Sequence, residues 1–207
     1  MGGKNAAIVS RHADIERAAT GIVRSAFGLQ GQKCSACSRI YVERPVADAL
    51  REKLLDRSAA IRVGDPTQRE NWMGPVINAR SYRRYAECAA RLGAEAKLLC
   101  GGMWLEDEGR DTGFYCAPTL AQAPLDHPLW REEMFLPIAM IAEVDSLDEA
   151  LAHANALDFG LTAGFYGSGE EARAFLQHIE AGVAYVNRPQ GATTGAWPGF
   201  QPFGGWK

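Results

Sequence analysis

The sequence contains no run approaching the ~18 consecutive apolar residues that a membrane-spanning helix requires, and it does not open on the basic-then-apolar pattern of a secretory leader. Positive charge is not in excess either. Lys and Arg number 22 against 25 Asp and Glu, for a formal net charge of −3, and no block of like charges marks a solvated tail. These shortages argue against nucleic acid and membrane as partners and favour a cytoplasmic chain acting on a small molecule or another protein. Internal repeats and low-complexity segments are also missing. The cysteines are few and odd in number, Cys34, Cys37, Cys88, Cys100 and Cys116, in a chain large enough to fold without staples, so reduced thiols are expected. Cys34 and Cys37 have C-x-x-C spacing, but no second ligand pair accompanies them. His12, His127, His153 and His178 lie far from such a spacing, so no metal site is expected.

What is present is apolar residues, 47% of the 207, enough for the core of one domain. Short apolar runs alternate with segments of helical period, the order that builds a parallel sheet with helices on both faces. Strands are predicted at Ala6–Val9, Ile40–Val42, Ala96–Leu99, Tyr115–Leu120, Ile138–Val144, Ala163–Tyr166 and Val183–Asn187. Helices are predicted from an Asp14 cap to the glycines Gly28 and Gly31, from Pro45 through Leu54, over 78–92, from a Ser146 cap with Glu149 in the capping-box position to Asn155, and over Glu170–Ile179. Residues 188–207, rich in glycine and proline, are expected to form an extended functional loop.

Cys34 sits between a helix end and a strand, flanked by Gly31, Gln32, Ser35 and Ala36. A loop cysteine of this kind is either an inert buried thiol or a nucleophile that a substrate can approach. Cys37, Trp197, Trp206 and Tyr185 read as packing residues, and Arg39 as the partner of a carboxylate inside the fold.

The string Phe27, Gly31, Gln32, Lys33, Cys34, Ser35, Ala36, Cys37, Ser38, Arg39 resembles the cysteine signature of the aldehyde dehydrogenase superfamily. Four further motifs resemble that superfamily in the same order: Gly2-Gly3-Lys4-Asn5, Glu132-Glu133-Met134-Phe135 with Pro137, Phe159-Gly160-Leu161-Thr162-Ala163, and Pro202-Phe203-Gly204-Gly205. The resemblance runs from the first residue to the last. It implies an α/β, three-layer αβα fold with a mostly parallel sheet over residues 1–207, the cysteine-bearing domain. It also implies that Cys34 attacks an aldehyde carbon, that NAD or NADP accepts the hydride, and that water hydrolyses the resulting thioester. The Cys34 backbone N–H becomes one arm of the oxyanion hole, and Glu133 and Phe135 match the positions that hold the nicotinamide ribose and ring. Leu136 departs from the pattern, which has glycine there, and this implies a stiffened or shifted loop.

Within the superfamily the chain looks like the branch acting on glutamate γ-semialdehyde, the 1-pyrroline-5-carboxylate dehydrogenases. There, Lys33, Ser35, Gly195 and Ala196 take the anchor positions for the amino-acid end of the substrate, and Phe203 lines its aliphatic part. In the superfamily the general-base glutamate lies two residues before the glycine that Gly2 matches, so Met1 takes the position just after it and the base falls outside these residues, as does the dinucleotide-binding domain. The 207 residues alone are therefore expected to form no NADH and to self-associate through bare apolar surface. Three alternatives stand beside this reading: a partner half that complements a separate cofactor domain, a different aldehyde as substrate, and a cysteine hydrolase in which one of the four histidines reaches Cys34.

Overall fold

The computed structural model describes residues 2–107, 109–110, 112–195, 199–201 and 203–207. Seven strands form one sheet in the order β3-β4-β5-β2-β1-β6-β7. They are β1 (Asn5–Val9), β2 (Cys37–Glu43), β3 (Lys97–Cys100), β4 (Thr119–Gln122), β5 (Ile138–Val144), β6 (Thr162–Tyr166) and β7 (Val183–Val186). Every pairing is parallel except β3 with β4.

Side chains alternate across each strand and fill two cores. Ala6, Ile8, Tyr41, Ile138, Met140 and Ala142 face one layer of helices. Ala7, Val9, Ile40, Val42, Ala139 and Ile141 face the other. The first layer holds α3 (Ala79–Glu95), α4 (Leu147–Asn155) and α5 (Gly169–His178), and the second α1 (Ile15–Phe27) and α2 (Ala47–Ala59). The expected three-layer αβα architecture is the observed one.

The helix starts follow the capping chemistry. Asp14 accepts the Arg17 N–H at 3.0 Å and Asn78 the Ser81 N–H at 2.9 Å, each satisfying an orphan donor of the first turn. At α4, Ser146 accepts from the Glu149 N–H, but the Glu149 carboxylate reaches one residue further back, to the Asp145 N–H at 2.7 Å. The complete reciprocal box belongs instead to Ser168 and Glu171 at α5.

Two expectations need correction. The strand predicted at Tyr115–Leu120 begins only at Thr119. Tyr115 and Ala117 are engaged with Leu105 and Met103 of the preceding loop, and Pro118 has no N–H to give the ladder, so pairing with β5 starts after it. Among the described residues Arg39 pairs with no carboxylate. Its guanidinium donates to the Lys4 carbonyl at 2.7 Å, to the Tyr41 hydroxyl, and to the His153 and Ala154 carbonyls, each at 3.1 Å. The last two are the open C-terminal carbonyls of α4, the negative end of that helix.

Between α1 and β2 the chain makes a left-handed turn, with φ of 51° at Leu29, 58° at Gln30 and 66° at Gly31. L-residues visit this region at a cost, and here two non-glycine residues in succession occupy it just before Cys34. At Gly31 a Cβ would also overlap the Leu136 carbonyl. Gly31→Ala is expected to lose more than about 2 kcal/mol in urea unfolding, from conformational strain plus a backbone clash. Gly109→Ala, at φ 84° with nothing within 4 Å of the added carbon, should lose only about 1–2 kcal/mol. Equal losses at the two positions would contradict the role given to the Leu136 contact.

Candidate active site

Gly2 precedes β1, Cys34 precedes β2, Glu133 precedes β5, and Asp158, Phe159 and Leu161 precede β6. Together with Phe203, Gly204, Gly205 and Lys207 they line one cavity of about 550 Å³. The site thus occupies the amino edge of the parallel strands, where the loops that lead into them converge. Cys34 is half-buried and lines this space.

The loop carrying Cys34 is held by its carbonyls. The Asn5 side-chain amide donates to the Cys34 carbonyl at 2.8 Å and to the Ala36 carbonyl at 2.9 Å, while its oxygen accepts the Thr162 N–H at 3.1 Å. One buried side chain therefore ties the starts of β1, β2 and β6 together. The carbonyl between these two, that of Ser35, accepts from the buried Thr193 hydroxyl at 2.7 Å. Gly3 packs so closely on the Cys34 carbonyl that any Cβ there would overlap it. In a trans peptide the N–H points opposite to the C=O. The Cys34 carbonyl, drawn toward Asn5, thus turns the Ser35 N–H the other way, and the Lys33 carbonyl, which accepts the Ala36 N–H at 3.1 Å, does the same for the Cys34 N–H. Among the described residues neither N–H has a backbone acceptor, and both can donate to an anion.

Glu133 stands on the cavity wall with one carboxylate oxygen accepting the Gly3 N–H at 2.8 Å. Arg84 donates to its carbonyl, also at 2.8 Å. Phe135 has φ 58° and is 42% exposed. Leu136 turns its side chain into the core, so the residue that replaces the expected glycine serves packing, and the left-handed conformation falls on Phe135.

The anchor residues are less closely gathered. Lys33 and Ser35 flank Cys34 but do not line its cavity; Ser35 is buried, and the Lys33 amine lies toward Gly28. Gly195 is exposed at φ 111°, beside the Arg188 guanidinium, which donates to the Thr194 carbonyl at 3.0 Å and stacks over Tyr185. Ala196, Trp197 and Pro202 lie outside the described residues. Trp206, read as packing, is 66% exposed.

The other thiols are poor competitors. Burial pushes those of Cys37 and Cys116 up to about 12 and raises those of Cys88 and Cys100, so at neutral pH they are protonated and weakly nucleophilic. No histidine lines the cavity: His12 pairs with Glu171, His127 with Glu95, and His153 stacks on Tyr41. Among the described residues no cluster of His, Cys, Asp and Glu suited to a metal ion occurs.

Sequence reasoning gave Lys4 and Asn5 only as members of a motif, with no role, and missed Thr193 and Asp158. Lys4 is the least expected. It is 1% exposed, its amine has no hydrogen-bond partner among the described residues, and burial together with the Arg39 charge lowers its pKa to about 7.

The aldehyde dehydrogenase family pattern matches residues 1–207, and the chain belongs to that family. It is 38% identical over 208 residues to the 1-pyrroline-5-carboxylate dehydrogenase of Geobacillus kaustophilus (strain HTA426), an alignment covering 99% of this chain and 39% of that protein. Among solved structures, a 1-pyrroline-5-carboxylate dehydrogenase from Thermus with bound NAD superposes with a TM-score of 0.91 at 37% identity, over 99% of this chain and 39% of that one. Proline utilization A (PutA) from Bdellovibrio bacteriovorus gives 0.91 at 35% identity over 99% of this chain and 21% of its own. The chain therefore spans well under half of the relatives it matches.

The Lys4 amine has a measurable consequence for stability. Its pKa is about 7 in the fold and 10.5 when exposed, so between those values the unfolded chain binds more protons and stability rises with pH. Lys4→Met removes the buried charge. It is expected to raise stability at pH 7 by roughly 1–3 kcal/mol and to flatten the rise between pH 7 and 10. Urea unfolding across that range checks this, and an unchanged slope would show that Lys4 is not the group responsible.

Proposed function

We propose that this chain is the catalytic-cysteine part of an NAD(P)-dependent aldehyde dehydrogenase that oxidises L-glutamate γ-semialdehyde, the open form of 1-pyrroline-5-carboxylate, to glutamate in proline catabolism. The observation that carries the reading is Cys34 on a cavity shared with Glu133 and with the Phe203-Gly204-Gly205 segment. The chain's likeness to 1-pyrroline-5-carboxylate dehydrogenases supports the substrate.

Chemically, the Cys34 thiolate adds to the aldehyde carbon, forming a C–S bond and an oxyanion that the Cys34 N–H receives. A nicotinamide ring supplies the hydride acceptor when bound. The chain's own residues fit such a group: the Glu133 carboxylate, fixed by the Gly3 N–H, suits a pair of ribose hydroxyls, and Phe135 offers a half-exposed ring beside it. Loss of hydride leaves a thioester that water cleaves to the acid. At the other end of the substrate, Lys33, Ser35 and the N–H groups of Gly195 and Ala196 are assigned to the amino-acid carboxylate, and Phe203 to the methylene chain. We place the rest of the dinucleotide site outside these residues, which cover 39% of the relatives. A cytoplasmic location suits the same reading, and among the described residues no helix is long and apolar enough to cross a membrane. Exposed Leu29, Trp72 and Ile77 support association with a second copy or a complementary domain. The hydrolase reading is disfavoured because no histidine borders the cavity.

Peptide mass spectrometry after limited iodoacetamide treatment tests the assignment. Cys34 is expected to be modified first, and p-nitrophenyl acetate to release one equivalent of p-nitrophenolate in a burst that Cys34→Ala abolishes. Glutamate γ-semialdehyde should protect Cys34 at lower concentration than propanal does. Preferential modification of Cys100, or equal protection by the two aldehydes, would sink the nucleophile or the substrate assignment respectively.

A further inference from the structure

The segment assigned to substrate anchoring touches the nucleophile loop at one buried point. Thr193, fully buried, gives its hydroxyl proton to the Ser35 carbonyl at 2.7 Å, across 158 residues of sequence. Its own N–H is fixed on helix α1 by the Ser25 hydroxyl at 3.0 Å, and the neighbouring Thr194 hydroxyl shares that same Ser25 oxygen at 3.1 Å. One residue earlier, the Ala192 N–H bonds the Gly21 carbonyl of α1 at 2.9 Å. Residues 192–194 are therefore stitched to a rigid helix on one side and reach the cysteine loop on the other. Asn5 holds the Cys34 and Ala36 carbonyls, and Thr193 holds the one between them, so all three successive peptide planes after the nucleophile have fixed orientations.

We propose that Thr193 is a positioning residue for Cys34: by holding the Ser35 carbonyl it fixes the Ser35–Ala36 peptide, whose N–H donates to the Lys33 carbonyl at 3.1 Å, and so orients the Lys33–Cys34 peptide whose N–H meets the oxygen of the substrate carbonyl, linking that geometry to the 188–195 segment. The inference rests on the reading of Cys34 as the nucleophile. Orientation of N–H donors matters to a reaction that builds an oxyanion and not to one that builds none. Acylation by p-nitrophenyl acetate forms the C–S bond through a tetrahedral oxyanion, which collapses to expel p-nitrophenolate as the thiol proton passes to solvent. Alkylation by iodoacetamide forms the C–S bond by displacement of iodide at a saturated carbon and involves no oxyanion.

The test is the ratio of these two rates at Cys34 in the full chain. Thr193→Val, which keeps shape and loses the donor, is expected to lower acylation roughly five- to tenfold relative to alkylation, a change of the size one neutral hydrogen bond supplies. Thr193→Ser, which keeps the hydroxyl, should restore the ratio to within about twofold of the unsubstituted chain. Ser25→Ala, on α1 and removed from the thiol, loosens the same tether from behind and should lower the ratio by a smaller factor, so the proposal can be read even where Thr193→Val fails to fold. A merely structural role would depress both reactions together. An unchanged ratio in Thr193→Val, or in Ser25→Ala where the first variant is insoluble, overturns the proposal while leaving Cys34 as nucleophile. A chain in which neither reagent labels Cys34 overturns both.

Discussion

The geometry of the site depends on the hydrogen bonds of one amide, that of Asn5. Its two N–H groups are spent on the Cys34 and Ala36 carbonyls and its oxygen on the Thr162 N–H, so a buried polar side chain is satisfied by three backbone groups from two other strands. Removing it would leave those groups buried without partners, which costs more than the bonds themselves contribute. The neighbouring Gly3 follows from the same constraint. With the Cys34 carbonyl turned inward toward Asn5, the backbone before β1 must approach it without a Cβ.

This clamp also accounts for the edge of the sheet on which the site lies. Parallel α/β sheets commonly bind ligands beyond the carboxyl ends of their strands. Here that edge is occupied by ion pairs and helix caps: Arg11 with Glu43, Arg44 with Glu143 and Asp145, and the Ser168–Glu171 box joined by Ser10 and His12. The amino edge is where β1, β2 and β6 are entered by loops containing glycine or small residues, which can pack backbone against backbone closely enough to surround a thiol. The left-handed turn at Leu29–Gly31 delivers the chain from α1 to this edge, and its strain is opposed by the contact of Gly31 with Leu136 and by the Gln32 amide oxygen, which accepts the Ile77 N–H at 2.9 Å.

The sequence made the layer order, most element positions and the loop that carries Cys34 legible, because each is written in local signals. Period-2 and helical patterns place the strands and helices. Asp14 and Ser146 mark helix starts. Cys34 stands inside a string whose glycines and small residues specify a loop. The start of β4 was misread by four residues because Tyr115 to Ala117 have strand-like side chains, while their backbone is claimed by the preceding loop. Arg39 was assigned a carboxylate because sequence displays charges but not the carbonyl ends of helices. Thr193 was missed and Asn5 given no role for the same underlying reason. A hydroxyl or amide that serves a carbonyl 158 or 29 residues away leaves no trace in spacing, and Ala-Thr-Thr-Gly reads as an ordinary turn.

The two buried cations show how far the fold goes to keep the amino edge in place. Arg39 and Lys4 lie side by side with no carboxylate among the described residues bonded to either, and Arg39 is compensated by the end of α4, with two open carbonyls and the negative pole of its dipole. Lys4 has no such compensation, and burial drives its amine toward the neutral form. A methionine there would pack at lower cost, so stability of the fold does not explain the lysine. The backbone around it, however, is engaged on every side: the Lys4 carbonyl receives Arg39, the Gly3 N–H holds Glu133, and Asn5 holds the cysteine loop. Residues 3 to 5 thus serve the site through peptide groups and one amide, which makes their side-chain economy secondary to the positions those groups fix.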